Sequence, residues 1–253
     1  MYAPERQQRI MDEARRAGRV EVGALAELLG VAAETVRRDL TALERRGTLR
    51  RVHGGAIPVE RLELEPTLAA RSTRLTTQKR AIAARALEEL PAEGTILLDS
   101  GSTTQAIAEL LPPDVDLTVL TNSFTAAAVL ASHPGVRLYL IGGRVRGRTG
   151  AAVGDWATAA LEGVYVDVAF LGTNGLSLTH GLTTPDQAEA AVKHAMAVAA
   201  RRAVVVTDST KVGQTHLHRF AALADLDLVI TDAGLDEETA AEIEQAGPEV
   251  YRA

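Results

Sequence analysis

From residue 79 onward the chain alternates between two periods. Short, nearly unbroken runs of Val, Leu and Ile at 95–99, 117–121, 136–141, 166–171, 203–207 and 228–231 are separated by stretches of helical spacing at 78–90, 104–111, 124–131, 185–201 and 237–245. A strand that is apolar on both faces has to be covered on both faces, and helical crossovers supply that cover. The pattern therefore predicts an α/β body over 79–253, built on a mostly parallel sheet.

The first 57 residues read differently. Pro4 suits a first helical turn, and Ile10, Met11 and Ala14 make an apolar stripe before Gly18. A second helix is expected over 22–29, with Leu25, Leu28 and Leu29 inward and Gly30 at its end. After the Gly30-Val31 turn, a third helix runs from 33 to 46 and closes at Gly47. Val36, Leu40 and Leu43 fall at i, i+4 and i+7 and share one buried face. Glu34, Arg38, Thr41 and Arg45 lie on the opposite face, flanked by Thr35 and Arg37. A short basic hairpin carrying Arg51 and His53 follows, ending in Gly54-Gly55. Two helices joined by a tight turn, the second with a free arginine face, can place that face in a DNA major groove. Guanidinium groups read guanine edges or neutralise phosphate, and the hairpin would rest on the backbone as a wing. A small helical bundle with a merely solvated Arg face fits the same spacing.

Charge separates the two parts. Residues 1–57 hold 11 Arg against 8 acidic residues, whereas the rest holds 16 basic against 25 acidic ones, for a net charge of −6. A basic head on an acidic body suggests two partners of different character. Residues 58–78 show no clean period and read as a linker. Cys is absent, which removes disulfides, thiolate metal sites and a cysteine nucleophile. Aromatics are 3%, too few for a surface that stacks single-stranded nucleic acid. No apolar run approaches the roughly 20 residues of a membrane span, and the N-terminus lacks a signal-like apolar core, so a cytoplasmic location is expected.

In a parallel sheet, ligands bind at the carboxyl ends of the strands. Those ends here carry Asp99-Ser100-Gly101-Ser102-Thr103-Thr104, Thr121-Asn122-Ser123, Gly142-Gly143-Arg144, Gly172-Thr173-Asn174-Gly175 and Asp208-Ser209-Thr210-Lys211. Hydroxyls, glycines and open N–H groups at helix starts suit an anion, most often phosphate. One such loop is explained equally well by routine capping. Several together suggest a pocket for a polyhydroxylated, phosphorylated small molecule. Glu189 and Lys193 lie one turn apart and either face that pocket or form a surface ion pair. His216 and His218 have no third ligand at useful spacing, and His53 and His180 are isolated. No GxSxG, HExxH or phosphate-binding GxxxxGK[ST] pattern is present, so no cofactor or metal is expected.

These motifs, in this order and spacing, resemble the DeoR family of bacterial transcriptional regulators over nearly the whole chain. The likeness is carried by VEVGALAELLGVAAETVRRDLTALERRGTLRRVHGGA at 20–56 and by LLDSGSTT, LTVLTNS, LIGG, FLGTNGLS, EAAVKHAM, DSTK and LVITD in the body. The resemblance implies a winged helix-turn-helix at 1–57 that binds double-stranded operator DNA. Over 79–253 it implies an effector domain similar to sugar-phosphate isomerases and CoA transferases. It further implies repression of a sugar-use operon, relieved by a phosphorylated sugar, in a dimer or tetramer. By position, Asp99 to Thr104 and Thr121 to Ser123 would cradle the ligand, with Asn174, Glu189, Lys193, Asp208 and Lys211 completing the site. The stretch 181–186, GLTTPD, looks like that of fructose-type members, which makes fructose 1-phosphate the expected effector. The rival expectation is a phosphosugar isomerase or deaminase, with Glu189 or Asp208 as base and Lys211 as the stabilising cation. One departure is Ala32, where the family commonly has Ser ahead of the recognition helix.

Overall fold

The computed structural model describes residues 3–45, 48–52, 54–58 and 65–253. Its N-terminal part packs α1 (Ala3–Ala17), α2 (Val22–Leu29) and α3 (Ala33–Arg45) on a small antiparallel sheet of β1 (Val20–Glu21), β2 (Leu49–Val52) and β3 (Gly55–Pro58), in the order β1-β3-β2. Ile10, Met11, Ala14, Leu25, Leu29, Val36, Leu40 and Leu43 close one apolar core. Gly30 ends α2 by taking φ 64°, a left-handed conformation that costs glycine little, while its N–H bonds to the carbonyls of Ala26 and Glu27. Leu28 departs from expectation and is 61% exposed. The inward stripe is set by Val22, Leu25 and Leu29, and Leu28 sits about a quarter turn away from its centre. Asp39 is buried in this core edge, where it accepts from Arg6 at 2.5 Å and from Gln7 at 3.0 Å and so ties α1 to α3.

The start of α3 is capped only by backbone. The Ala32 carbonyl accepts from Thr35 N at 2.9 Å and Val36 N at 3.3 Å, but no side-chain oxygen is there to take the next free N–H. Ala32→Ser is therefore expected to stabilise the head by about 1 kcal/mol. Chemical denaturation followed by circular dichroism checks this; a midpoint that stays put or falls contradicts it.

The body is a seven-stranded, fully parallel sheet in the order β15-β14-β12-β9-β4-β5-β6. Its strands are β4 (Glu93–Leu98), β5 (Asp116–Thr121), β6 (Val136–Leu140), β9 (Val166–Leu171), β12 (Ala200–Val206), β14 (Leu228–Thr231) and β15 (Glu249–Arg252). Alternation along the strands divides the core into two layers. Leu97, Ala169, Leu171, Val205 and Val229 meet α8 (Asp155–Ala159), α9 (Gln187–Ala199) and α10 (Glu237–Gln245) on one face. Ile96, Leu98, Phe170, Val204 and Ile230 meet α5 (Thr76–Ala86), α6 (Ser102–Leu110) and α7 (Phe124–Leu130) on the other. Two smaller antiparallel units sit beside the main sheet. One is the hairpin β7 (Arg144–Arg146) and β8 (Ala151–Val153); the other is β10 (Gly175–Ser177), β11 (Gly181–Thr184) and β13 (His218–Ala221). No helix among the described residues is long and apolar enough to cross a membrane.

The helix expected over 185–201 is shorter than its alanine-rich sequence suggests. Asp186 caps it by accepting from Glu189 N, and at Ala200 the chain is already in β12, paired with Val166. Sheet pairing overrides the helix preference of Ala there. Within the unpatterned stretch 58–78, the structure forms the short helix α4 (Leu68–Ser72), capped by Thr67, and begins α5 at Thr76.

Strand order reverses between β4 and β9: the chain steps from β4 to β5 and β6 on one side, and from β9 to β12, β14 and β15 on the other. The loops leaving β4 and β9 therefore diverge and open a crevice at the carboxyl edge.

Candidate functional site

A cleft open to solvent occupies that crevice. The loop after β4 and the first turn of α6 supply Ser100 to Thr104, the loop after β9 supplies Gly172, Thr173 and Asn174, α9 supplies Glu189 and Lys193, and the loop after β12 supplies Asp208, Thr210 and Lys211. Thus the structure brings together Ser100, Gly101, Ser102, Thr103, Thr104, Asn174, Glu189, Lys193, Asp208 and Lys211 of the residues expected from sequence.

Asp99 lies beneath the floor. Its carboxylate accepts from the Lys193 ammonium and, at 2.9 Å, from Gly172 N, while Lys193 also donates to Gly172 O at 2.9 Å. Both side chains are almost fully buried. Burial pushes the Asp99 carboxyl above its ordinary value, and the Lys193 charge and the Gly172 N–H pull against that. The pair staples the β4 and β9 loops together across the switch point.

Glu189 is enclosed as well. Thr149 Oγ1 donates to its Oε1 at 2.5 Å and Arg146 at 3.2 Å, and Thr184 Oγ1 reaches its Oε2 at 3.3 Å. Arg146 at the same time pairs with Asp186 at 3.1 Å and Glu65 at 2.5 Å. Asn174 accepts from Thr184 Oγ1 at 3.1 Å. Asp208 accepts from Thr210 Oγ1, and Asp232 holds the next residue by accepting from Ser209 N at 2.7 Å. That last contact explains the LVITD motif as an anchor for the 208–211 loop.

Other expected residues are placed elsewhere. Thr121 donates to Leu98 O at 2.7 Å and accepts from Ser123 N; Ser123 caps α7 through Ala126 N at 3.2 Å; Asn122 donates to Ala152 O at 3.2 Å. All three are buried and none lines the cleft. Their hydroxyl and amide groups hold β5 to its neighbours. Gly142 and Gly143 lead from β6 into the β7–β8 hairpin and do not line the cleft either. Gly175 is needed for close approach, since a Cβ there would stand 2.5 Å from the Gln214 carbonyl. His216 is engaged through its ring with Asn174 O at 3.0 Å, and among the described residues no three His, Asp or Glu gather as a metal site.

Sequence reasoning missed the side of the cleft built from 66–79. Pro66, Arg71, Arg74, Leu75 and Lys79 line it, together with Thr149 and Thr207. The Lys79 ammonium is buried and donates to the carbonyls of Arg71 at 2.5 Å and Arg74 at 2.6 Å; burial lowers it below the usual lysine range. Leu75 holds φ 52°, the sole positive φ outside glycine among the described residues. A bulky side chain in that region stores roughly 1–3 kcal/mol of strain.

On the head, Arg37, Arg38, Thr41, Arg45 and Arg51 line one shallow groove between α3 and β2. Arg51 donates to Thr41 Oγ1 at 3.2 Å and its backbone N to Glu44 at 2.9 Å, which fixes the hairpin against the helix. Arg37 pairs with Glu34 at 3.2 Å with both side chains exposed, a contact that a phosphate can displace. Among the described residues, Arg38 and Arg45 have no carboxylate partner. Thr35 is half-buried and lies outside the groove, and His53 lies outside the described residues.

Two family models cover most of the chain. Residues 6–61 match a DeoR-like helix-turn-helix domain and residues 74–233 a DeoR C terminal sensor domain. The chain is 39% identical over 247 residues to the HTH-type transcriptional regulator GlpR of Haloferax volcanii, covering 98% of this chain and 96% of that one. It is 34% identical to a putative aga operon transcriptional repressor of Escherichia coli O157:H7, covering 97% and 92%. It is also 36% identical to an HTH-type transcriptional regulator, FruR, of Bacillus subtilis, covering 92% of each. Among solved structures, a D-ribose-5-phosphate isomerase in complex with phospho-erythronic acid aligns over 55% of each chain at 18% identity and a TM-score of 0.41.

Proposed function

Because this chain belongs to the DeoR family of transcriptional regulators, we propose that it represses a carbohydrate-use operon and leaves its operator when a phosphorylated sugar fills the cleft at the β4–β9 switch point. One observation carries the reading: the cleft gathers a hydroxyl-rich loop at the start of α6, two Arg side chains and Lys211 around polar groups suited to a polyol. The groove on the head supplies the other half, with arginines spaced for double-stranded DNA. A paired operator calls for two heads, so the repressor acts as a dimer or tetramer. The reading carries a cytoplasmic location with it.

Binding without turnover is favoured by how the carboxylates are used. A general base must be free to reach a substrate proton. Asp99 is spent on Lys193, Glu189 on Thr149, Arg146 and Thr184, and Asp208 accepts from Thr210. Fructose 1-phosphate is the effector we favour. The support is the 181–186 stretch, whose Thr184 touches both Asn174 and Glu189, and the similarity to FruR.

Lys211→Met tests the assignment of the cleft. Lys211 lines the cleft and not the head groove, so the variant should hold operator DNA as tightly as wild type and fail to release it with fructose 1-phosphate or any other phosphosugar. Fluorescence anisotropy reads both properties. Normal release by the variant would remove Lys211, and the cleft with it, from the account.

A further inference from the structure

The cleft takes part of its wall from the segment that leads to the head, and one side chain of that wall is incompletely satisfied. Arg71 lines the cleft from α4, and its Nε and Nη2 are shielded from solvent with no hydrogen-bond partner. A buried guanidinium N–H without an acceptor is costly, so such an arrangement persists where an acceptor arrives from outside. The other buried cations of the cleft are committed. Lys193 belongs to Asp99 and Gly172 O, and Lys79 donates to the carbonyls of Arg71 and Arg74. Lys79 therefore positions Arg71 by holding its backbone.

We propose that Arg71 grips the anionic group of the effector, so that occupancy of the cleft is registered directly by the segment joining the DNA-binding head to the sheet. The inference rests on the effector reading given above. Guanidinium is suited to the task because its fork matches two phosphate oxygens at once. Since Nε and Nη2 are covered, they reach an anion only if the side chain or the 68–75 segment shifts. The segment is tied at one end by Glu65, paired with Arg146 and bonded through its carbonyl to Arg148, and it holds the strained Leu75 at the other. Arg146 also contacts Glu189, so the tether and the cleft share a residue.

The test uses the full chain, with fructose 1-phosphate and inorganic phosphate as probes in calorimetric titrations of wild type, Arg71→Met, Arg71→Lys and Lys211→Met. The proposal expects Arg71→Met to weaken both probes by about tenfold or more and Arg71→Lys to restore part of the loss. Hydrogen exchange should show amides of 66–76 slowing when either probe saturates wild type. If Arg71→Met binds both probes as wild type does while Lys211→Met does not, the Arg71 assignment is overturned and the effector reading stands. Slowing confined to 100–104 and 208–211 overturns the link to the connecting segment. If wild type binds neither probe saturably, the inference falls together with the reading it rests on. Melting curves of the unliganded variants separate lost binding from lost folding, with Arg71→Lys as the variant that keeps the charge.

Discussion

Lys193→Met is expected to cost the body about 3–5 kcal/mol. The reason is what it leaves behind. Asp99 is almost fully buried, and without the ammonium its carboxylate keeps the Gly172 N–H as its remaining partner, with Glu189 adding repulsion. Methionine fills the space of the lysine stem and still packs on Phe220, so the cost is electrostatic rather than a cavity. Two controls follow from that cause. Adding Asp99→Asn to Lys193→Met should recover most of the stability, because the uncompensated charge is gone. The deficit should also depend on pH with a defined sign. In the variant burial still raises the folded-state carboxyl of Asp99, with no ammonium to oppose it, so the folded state holds the proton longer than the unfolded chain does. Stability is then lost as pH rises through the unfolded value toward the folded one, and the deficit at pH 7 exceeds that at pH 5. Urea denaturation at both values reads it; an equal deficit at both, or no rescue by the double change, assigns the loss to packing instead.

Arg38→Ala is expected to weaken operator binding by about 1–3 kcal/mol, or roughly 5- to 150-fold. Arg38 is exposed on the groove face of α3, has no carboxylate partner among the described residues, and sits opposite the buried Val36, Leu40 and Leu43. Its removal leaves the head core intact. The kind of loss identifies the contact. If Arg38 reads a guanine, specificity relaxes at one operator position while the salt dependence hardly moves. If it neutralises phosphate, affinity falls evenly over all sequences and the salt slope drops by about one ion. Effector binding should be untouched, since no residue of the head groove lines the cleft. A variant with wild-type affinity for every sequence would remove Arg38 from the interface.

The sequence made the sheet legible because buried parallel strands leave apolar runs that nothing else in the chain imitates. The strands at 166–171 and 228–231 and the helix at 237–245 lie where periodicity puts them. β15 escaped because GPEVYRA is polar, lies at the sheet edge and pairs on one side with β14. The head was legible for a local reason: Gly18 and Gly30 punctuate it, and each helix carries one clear apolar stripe.

The site was only half legible. A Ser or Thr at a strand end caps a helix with the same oxygen that it would offer a ligand, and spacing cannot tell the two apart. Thr121 and Ser123 spend theirs on Leu98 O and Ala126 N, whereas Ser102 and Thr103 face the cleft. Spacing puts Glu189 and Lys193 on one helix face, and both line the cleft rather than pairing with each other. Their partners, Arg146 and Asp99, are more than 40 residues away and emerge only from the fold. Arg71 and Lys79 had no signal at all. Arg71 lies in a stretch without period and Lys79 at the start of an expected helix, and their place at the cleft follows from where α4 and α5 pack rather than from any local motif.

The central claim is that the head holds operator DNA until a phosphosugar occupies the cleft. The direct test is fluorescence anisotropy of labelled DNA from upstream of this protein's own gene, at fixed near-physiological salt, titrated with a panel of phosphosugars. The account predicts tight, competitor-resistant binding that one phosphosugar, fructose 1-phosphate first among them, releases with a saturable curve. Folded protein that shows no preference for this DNA over competitor, or a complex that every phosphosugar leaves intact, would contradict it.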